Sequence, residues 1–170
     1  MEHLWSSDLV RDAKVFASKA HSGQVRKYTG EPYMNHPWQV AVLVDSTRGA
    51  TEEMVAAALL HDVLEDTDTT FDEVYDTFGE IVASLVFWLT DKSKPEDGNR
   101  KVRKGLDRAH LACAPAQAQT IKLADLIDNT SSIVERDPNF AKVYLAEKAA
   151  LLEVLTEGDP ILMKMARKNL

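Results

Sequence analysis

The sequence has a single cysteine, Cys113, so no disulfide can close within the chain, and a reducing compartment is expected. No apolar run approaches the roughly 20 residues that a membrane span requires. Residues 1–14 carry no apolar leader segment either. A cytoplasmic protein with no membrane partner is therefore expected. Seven glycines and six prolines in 170 residues exclude collagen-like and low-complexity classes. Basic residues are also short: 20 against 27 acids, for a net charge of −7. That balance disfavours nucleic-acid binding, which needs a basic surface. It still allows a small anionic substrate, because cations clustered in a cleft can outweigh the global sign. Strand-like alternation and internal repeats are both missing.

What is present reads as helix after helix. Apolar residues make up 45% and charged residues 28% of the chain, as in a globular protein with one real core. Ser6-Ser7-Asp8 starts a first helix, whose apolar face draws on Leu9, Val10, Ala13, Val15, Phe16 and Ala20. Residues 23–37, with two glycines and two prolines among basic and aromatic residues, read as a loop. Pro37 suits the first turn of the next helix. Thr51 caps a strongly apolar helix running on through HDVLEDT. Thr70-Phe71-Asp72-Glu73 has capping-box spacing, and Gly79 divides the helix it starts from 80–90. Further helices are expected over 116–134, over 138–155 and after Asp159-Pro160. The predicted fold is all-α, a bundle of roughly eight to ten helices at a mean of about 11–12 residues each, forming one domain over residues 1–170.

Several residues are chemically out of place in this apolar frame. His61, Asp62, Glu65 and Asp66 interrupt an otherwise apolar helix. If the helix is continuous, His61 and Glu65 share one face, and Asp62 and Asp66 the neighbouring one. His36 stands at a loop-to-helix junction, and Asp125 lies in the apolar stretch Ile121–Asn129. Each has a bland alternative: a wet helix end, a helix-start donor, an acid paired with a base. Together, His36, His61, Asp62 and Asp125 make a two-imidazole, two-carboxylate set on separate elements. Such a set suits a divalent transition metal with water or substrate in the remaining positions.

At this point the chain resembles a known family. The stretches AHSGQVRK (20–27), GEPYMNHP (30–37), ALLHDVLEDT (58–67) and KLADLIDN (122–129) are similar, in order and spacing, to those of HD-domain phosphohydrolases. Among these it most resembles the small alarmone hydrolases, stand-alone relatives of the hydrolase half of RelA/SpoT proteins. The likeness covers roughly three quarters of the chain. It implies an HD-type helical bundle holding one Mn ion, or another divalent transition metal, on His36, His61, Asp62 and Asp125. It implies that Glu65 and Asp66 work on the attacking water. It implies that Arg26 and Lys27 frame the nucleotide base, with Tyr28 near enough to share that task. Asn129 matches a contact on the sugar side, and Tyr144 an aromatic contact to the nucleotide. Asp128 departs from the family, where a basic or histidine-type residue is common.

The implied reaction removes the 3′-pyrophosphate of ppGpp or pppGpp. With no room before Leu170 for a synthetase domain, degradation without synthesis is expected. Cations for the substrate come best from the stretch Lys92–Arg108, with Lys92 and Lys94 as candidates over the pocket. Two rivals remain. One is an HD phosphohydrolase for another nucleotide such as (p)ppApp. The other is a catalytically silent nucleotide sensor, against which the Glu65–Asp66 pair argues. Leu162, Met163 and Met165 suit the core or a homodimer contact.

Overall fold

The computed structural model describes residues 4–168 and Leu170. Helix α1 (Asp8–Ala20) buries Val10, Ala13 and Ala17, a stripe at helical spacing. Val15 falls off that stripe: it sits two residues, about 200°, around from Ala13 and is exposed. A tight loop follows, with an isolated antiparallel bridge between Val25 and Pro32. Helix α2 (Asn35–Asp45) begins two residues before Pro37.

Helix α3 (Glu52–Leu60) is the centre of the fold. Met54 through Leu60 are all buried, as a helix apolar on every face must be. Helices α1 and α2 pack on it, together with α5 (Phe71–Leu89) and α7 (Ala116–Arg136). Thr51 caps it, its hydroxyl accepting from the Met54 amide. Here the structure corrects the sequence reading. The helix does not continue through residue 67 but stops at Leu60, turns at His61-Asp62, and resumes as the four-residue α4 (Val63–Asp66). The amides of Glu65 and Asp66 both bond the Asp62 carbonyl, at 3.2 and 2.9 Å.

The Thr70–Glu73 capping box forms in both directions at the start of α5. Gly79 breaks the helical path with φ +83°, a conformation that favours glycine, so α5 is two helical runs across a kink. Helix α6 (Arg100–Ala112) carries the basic stretch, and α8 (Pro138–Leu152) ends three residues earlier than expected, although Leu155 is still buried. Asp159 caps α9 (Pro160–Lys168), its carboxylate accepting from the Ile161 and Leu162 amides at 2.9 Å. Leu162 joins the core, while Met165 is exposed. The described residues hold α-helices, short 3-10 turns and no strand, as an all-α reading requires. None of these helices is long and apolar enough to cross a membrane.

Candidate metal centre and active site

The turn at His61-Asp62 carries two neighbouring side chains of the site at the end of the buried helix α3. At this turn the two side chains meet: His61 Nε2 lies 3.1 Å from Asp62 Oδ2. His36, from the first turn of α2, brings its Nε2 to 3.2 Å from His61 Nε2 and 3.6 Å from Asp62 Oδ2. These three ligand atoms all lie within 4.8 Å of one another. Asp125, on α7, closes the group, with Oδ1 3.2 Å from His36 Nε2 and 3.8 Å from His61 Nε2.

The hydrogen bonds behind the rings decide what the cluster can hold. His61 Nδ1 faces the Ala58 carbonyl at 2.7 Å, an atom that only accepts, so Nδ1 carries the proton. His36 Nδ1 faces the Asp128 carboxylate at 2.6 Å and donates to it. In the neutral rings both Nε2 atoms are therefore lone pairs, facing each other and two carboxylates. Lone pairs so arranged, with both rings 2% exposed, repel unless a cation sits among them. A metal with ligands at about 2.0–2.2 Å sets neighbouring donors about 3 to 3.6 Å apart, close to the separations here. The second-partner pattern is also that of metal-ligating histidines. The residues thus fit a divalent cation.

Electrostatics agree. Burial opposes charge on His36, but Asp125, Asp128 and Asp62 outweigh it and push its pKa up to about 9. Burial likewise works against the ionised carboxyls of Asp62 and Asp125. The histidines hold Asp62 well below its usual range, and Lys122 with His36 does the same for Asp125. Four groups that all favour added positive charge in one buried place describe a cation site.

Glu65 borders the same cavity, its Oε1 accepting from the Asp91 amide. Burial, with Asp91 and Asp62 adding to it, pushes its carboxyl up to about 7. Asp66 is raised too, by burial and Asp62. Tyr33 spans the two aspartates, its hydroxyl 2.5 Å from Asp62 Oδ2 and 3.0 Å from Asp66 Oδ2. Burial and those carboxylates keep its proton on, so it is a permanent donor. The cavity itself measures about 290 Å³, and its walls include Asp62, Glu65, Lys122, Asp125, Asn129 and Tyr144.

The remaining candidates divide. Asn129 donates to Asp125 Oδ1 at 2.6 Å, and Tyr144 reaches the Leu126 carbonyl at 3.4 Å. Arg26, Lys27 and Tyr28 are not brought into this cavity. Arg26 pairs with Asp128 at 2.5 Å and lines a second cavity of about 340 Å³. Lys27 lies over the Tyr28 ring, and the Tyr28 hydroxyl reaches Asp137 at 3.3 Å. Lys92 sits 3.3 Å over the Phe87 ring, and neither it nor Lys94 lines the 290 Å³ cavity. The basic stretch reaches that wall through Arg100, Lys104 and Arg108 instead, because these share the inward face of α6 at helical spacing. Sequence reasoning assigned no role to Tyr33, Lys122 or Asp128. Lys122 and Asp128 were within reach of it, since each stands three residues from Asp125 on one helix.

A family profile described as HD domain matches residues 13–152. The chain belongs to the HD-domain family. It is 38% identical over 138 residues to the guanosine-3′,5′-bis(diphosphate) 3′-pyrophosphohydrolase MESH1 of Xenopus tropicalis, covering 78% of this chain and 75% of that protein. A guanosine-3′,5′-bis(diphosphate) 3′-pyrophosphohydrolase of Aquifex aeolicus is 37% identical over 124 residues; the match covers 73% of this chain but only 18% of that longer protein. Among solved structures, a metazoan ortholog of SpoT described as hydrolysing ppGpp superposes with a TM-score of 0.85. It is 29% identical, covering 96% of this chain and 94% of the other.

Proposed function

We propose that this HD-domain chain hydrolyses the 3′-pyrophosphate of guanosine alarmones, giving GDP or GTP and pyrophosphate. The observation that carries the reading is the meeting of His36, His61, Asp62 and Asp125 in one cluster, whose two aspartates open onto a cavity with five cations in its lining. The relatives' activities support the substrate class.

His36, His61, Asp62 and Asp125 would hold a divalent cation, Mn2+ in this proposal, which would supply Lewis acidity to the reaction. The protein's own groups do the rest. Glu65, with its carboxyl lifted to about 7, takes the proton of the attacking water near neutral pH. Asp66, held by Tyr33, supports that water or returns a proton to the leaving ribose 3′-oxygen. Lys122 neutralises Asp125 on the side away from the histidines, at 2.7 Å. Asn129 and Tyr144 line the path of the sugar and base. Arg26 holds Asp128 against His36, and so acts behind the metal ligands.

The test is pyrophosphate release from ppGpp with added Mn2+, with EDTA as control and ppApp as a parallel substrate. Metal-dependent release from ppGpp with GDP as co-product is the expected result. Faster release from ppApp would move the substrate to the adenine series. No release from either nucleotide would sink the reading.

A further inference from the structure

Five cations stand on the wall of the 290 Å³ cavity: Arg100, Lys104, Arg108, Lys122 and Lys148. Three are already engaged. Arg100 makes a two-pronged pair with Glu147 at 2.7 and 2.8 Å, Lys104 bonds Asp91 at 2.9 Å, and Lys122 bonds Asp125 at 2.7 Å. Arg108 forms no ion pair among the described residues, and neither does Lys148. Lys148 is the more unusual of the two. It is 1% exposed, and its Nζ is buried with no hydrogen-bond partner among the described residues.

A buried ammonium without a partner is costly, and folding does not retain one without a compensating role or an incoming anion. Burial alone acts on this amine, pushing its pKa down to about 8, with no carboxylate pulling the other way. Lys148 therefore stands apart from the acids of the metal end, unlike Lys122, which feels Asp125, Asp91 and Glu65. Tyr144 and Leu151 flank it at helical spacing on the same face of α8, and both line the cavity. The four-carbon stem is flexible, so its ammonium can turn to an oxygen that enters.

We propose that Lys148, with Arg108 on the same cavity wall, is the anchor for a substrate phosphate group remote from the metal ligands. This rests on the phosphohydrolase reading above. It adds to it a positioning residue on α8, outside every motif that pointed to that reading. Two sources offer the same chemistry: the 5′-diphosphate of the nucleotide, and the outer phosphate of the 3′-pyrophosphate.

The experiment uses manganese-loaded protein, wild type and Lys148→Met, a neutral side chain of similar length. Calorimetry with GDP, with inorganic pyrophosphate and with guanosine gives three affinities, and turnover of ppGpp gives KM and kcat. An affinity loss of about ten- to a hundredfold is expected for GDP or for pyrophosphate, with guanosine unchanged. Loss for GDP assigns the 5′ end, and loss for pyrophosphate assigns the 3′ group. KM for ppGpp rises accordingly while kcat holds, and the thermal midpoint does not fall, because a buried unpaired charge has been removed. Unchanged affinities in a folded variant overturn the proposal, as does a wild type that binds neither anion. If Lys148→Met does not fold, Lys148→Gln is measured in its place. A lowered midpoint in both variants, or equal losses for guanosine, makes Lys148 structural and also overturns it. The binding arms need no turnover. An inactive wild type therefore sinks the alarmone reading while Lys148 is still decided.

Discussion

The two walls of the cavity are built on opposite terms. Beside the cavity, on α2, the His61-Asp62 turn and α7, each candidate metal ligand has a second partner behind it. His61 has the Ala58 carbonyl, His36 has Asp128, Asp125 has Lys122 and Asn129, and Asp62 has Tyr33. On the wall made by α6 and α8, Arg100 and Lys104 are paired with acids, but Arg108 and Lys148 form no ion pair among the described residues. Groups fixed from behind are oriented toward one point before substrate arrives. A site of loose cations is completed only when an anion arrives. The comparison separates where chemistry is set from where substrate is gripped.

The strongest way to break that contrast is to remove a ligand from the fixed wall. Asp62→Ala is expected to abolish metal binding and turnover together, read by metal analysis and pyrophosphate release on one preparation. Glu65→Gln comes next. It should retain the metal and lose about a hundred- to ten-thousandfold in rate, the range for a general base. Unchanged turnover would remove Glu65 from the mechanism. Asp128→Asn tests the second partners themselves: metal affinity should weaken about ten- to a hundredfold by competition with a chelator. An affinity equal to wild type would show that His36 needs no backing.

The smallest expected effect is one of stability. The Glu65 carboxyl titrates near 7 in the fold against an ordinary 4.5, so the unfolded chain gives up its proton first. Between about 4.5 and about 7 the metal-free wild type should therefore lose stability relative to Glu65→Gln as the pH rises. Thermal melts across that window check it, and a difference independent of pH would place the group outside the buried, acid-lined setting described above.

Much of the frame was legible in the sequence. Thr51, Thr70 and Asp159 announce helix starts through side chains that cap backbone amides, and Gly79 announces a break through its freedom at positive φ. The four candidate ligands stood out because imidazoles and carboxylates in apolar stretches need an explanation. The turn at His61-Asp62 was hidden, since Val63 and Leu64 continue the apolar pattern straight through it. Partnerships across the fold were hidden for another reason. Arg26 was expected toward a base, but Asp128, 102 residues away in sequence, holds it in an ion pair. Tyr33 bridges two acids 29 and 33 residues ahead of it. Such pairings depend on how separate helices approach, which local periodicity does not encode. Nothing local to Lys148 in the sequence marks its burial, for the same reason.

The interruption after Leu60 also has a consequence for anyone seeking a hardier version of this protein. Conventional practice would favour residues that straighten and extend the central rod, gaining heat resistance one turn at a time. Here that repair would rebuild the very turn that carries His61 and Asp62, two of the four candidate ligands. At this one place in the chain, thermal endurance and catalysis pull against each other.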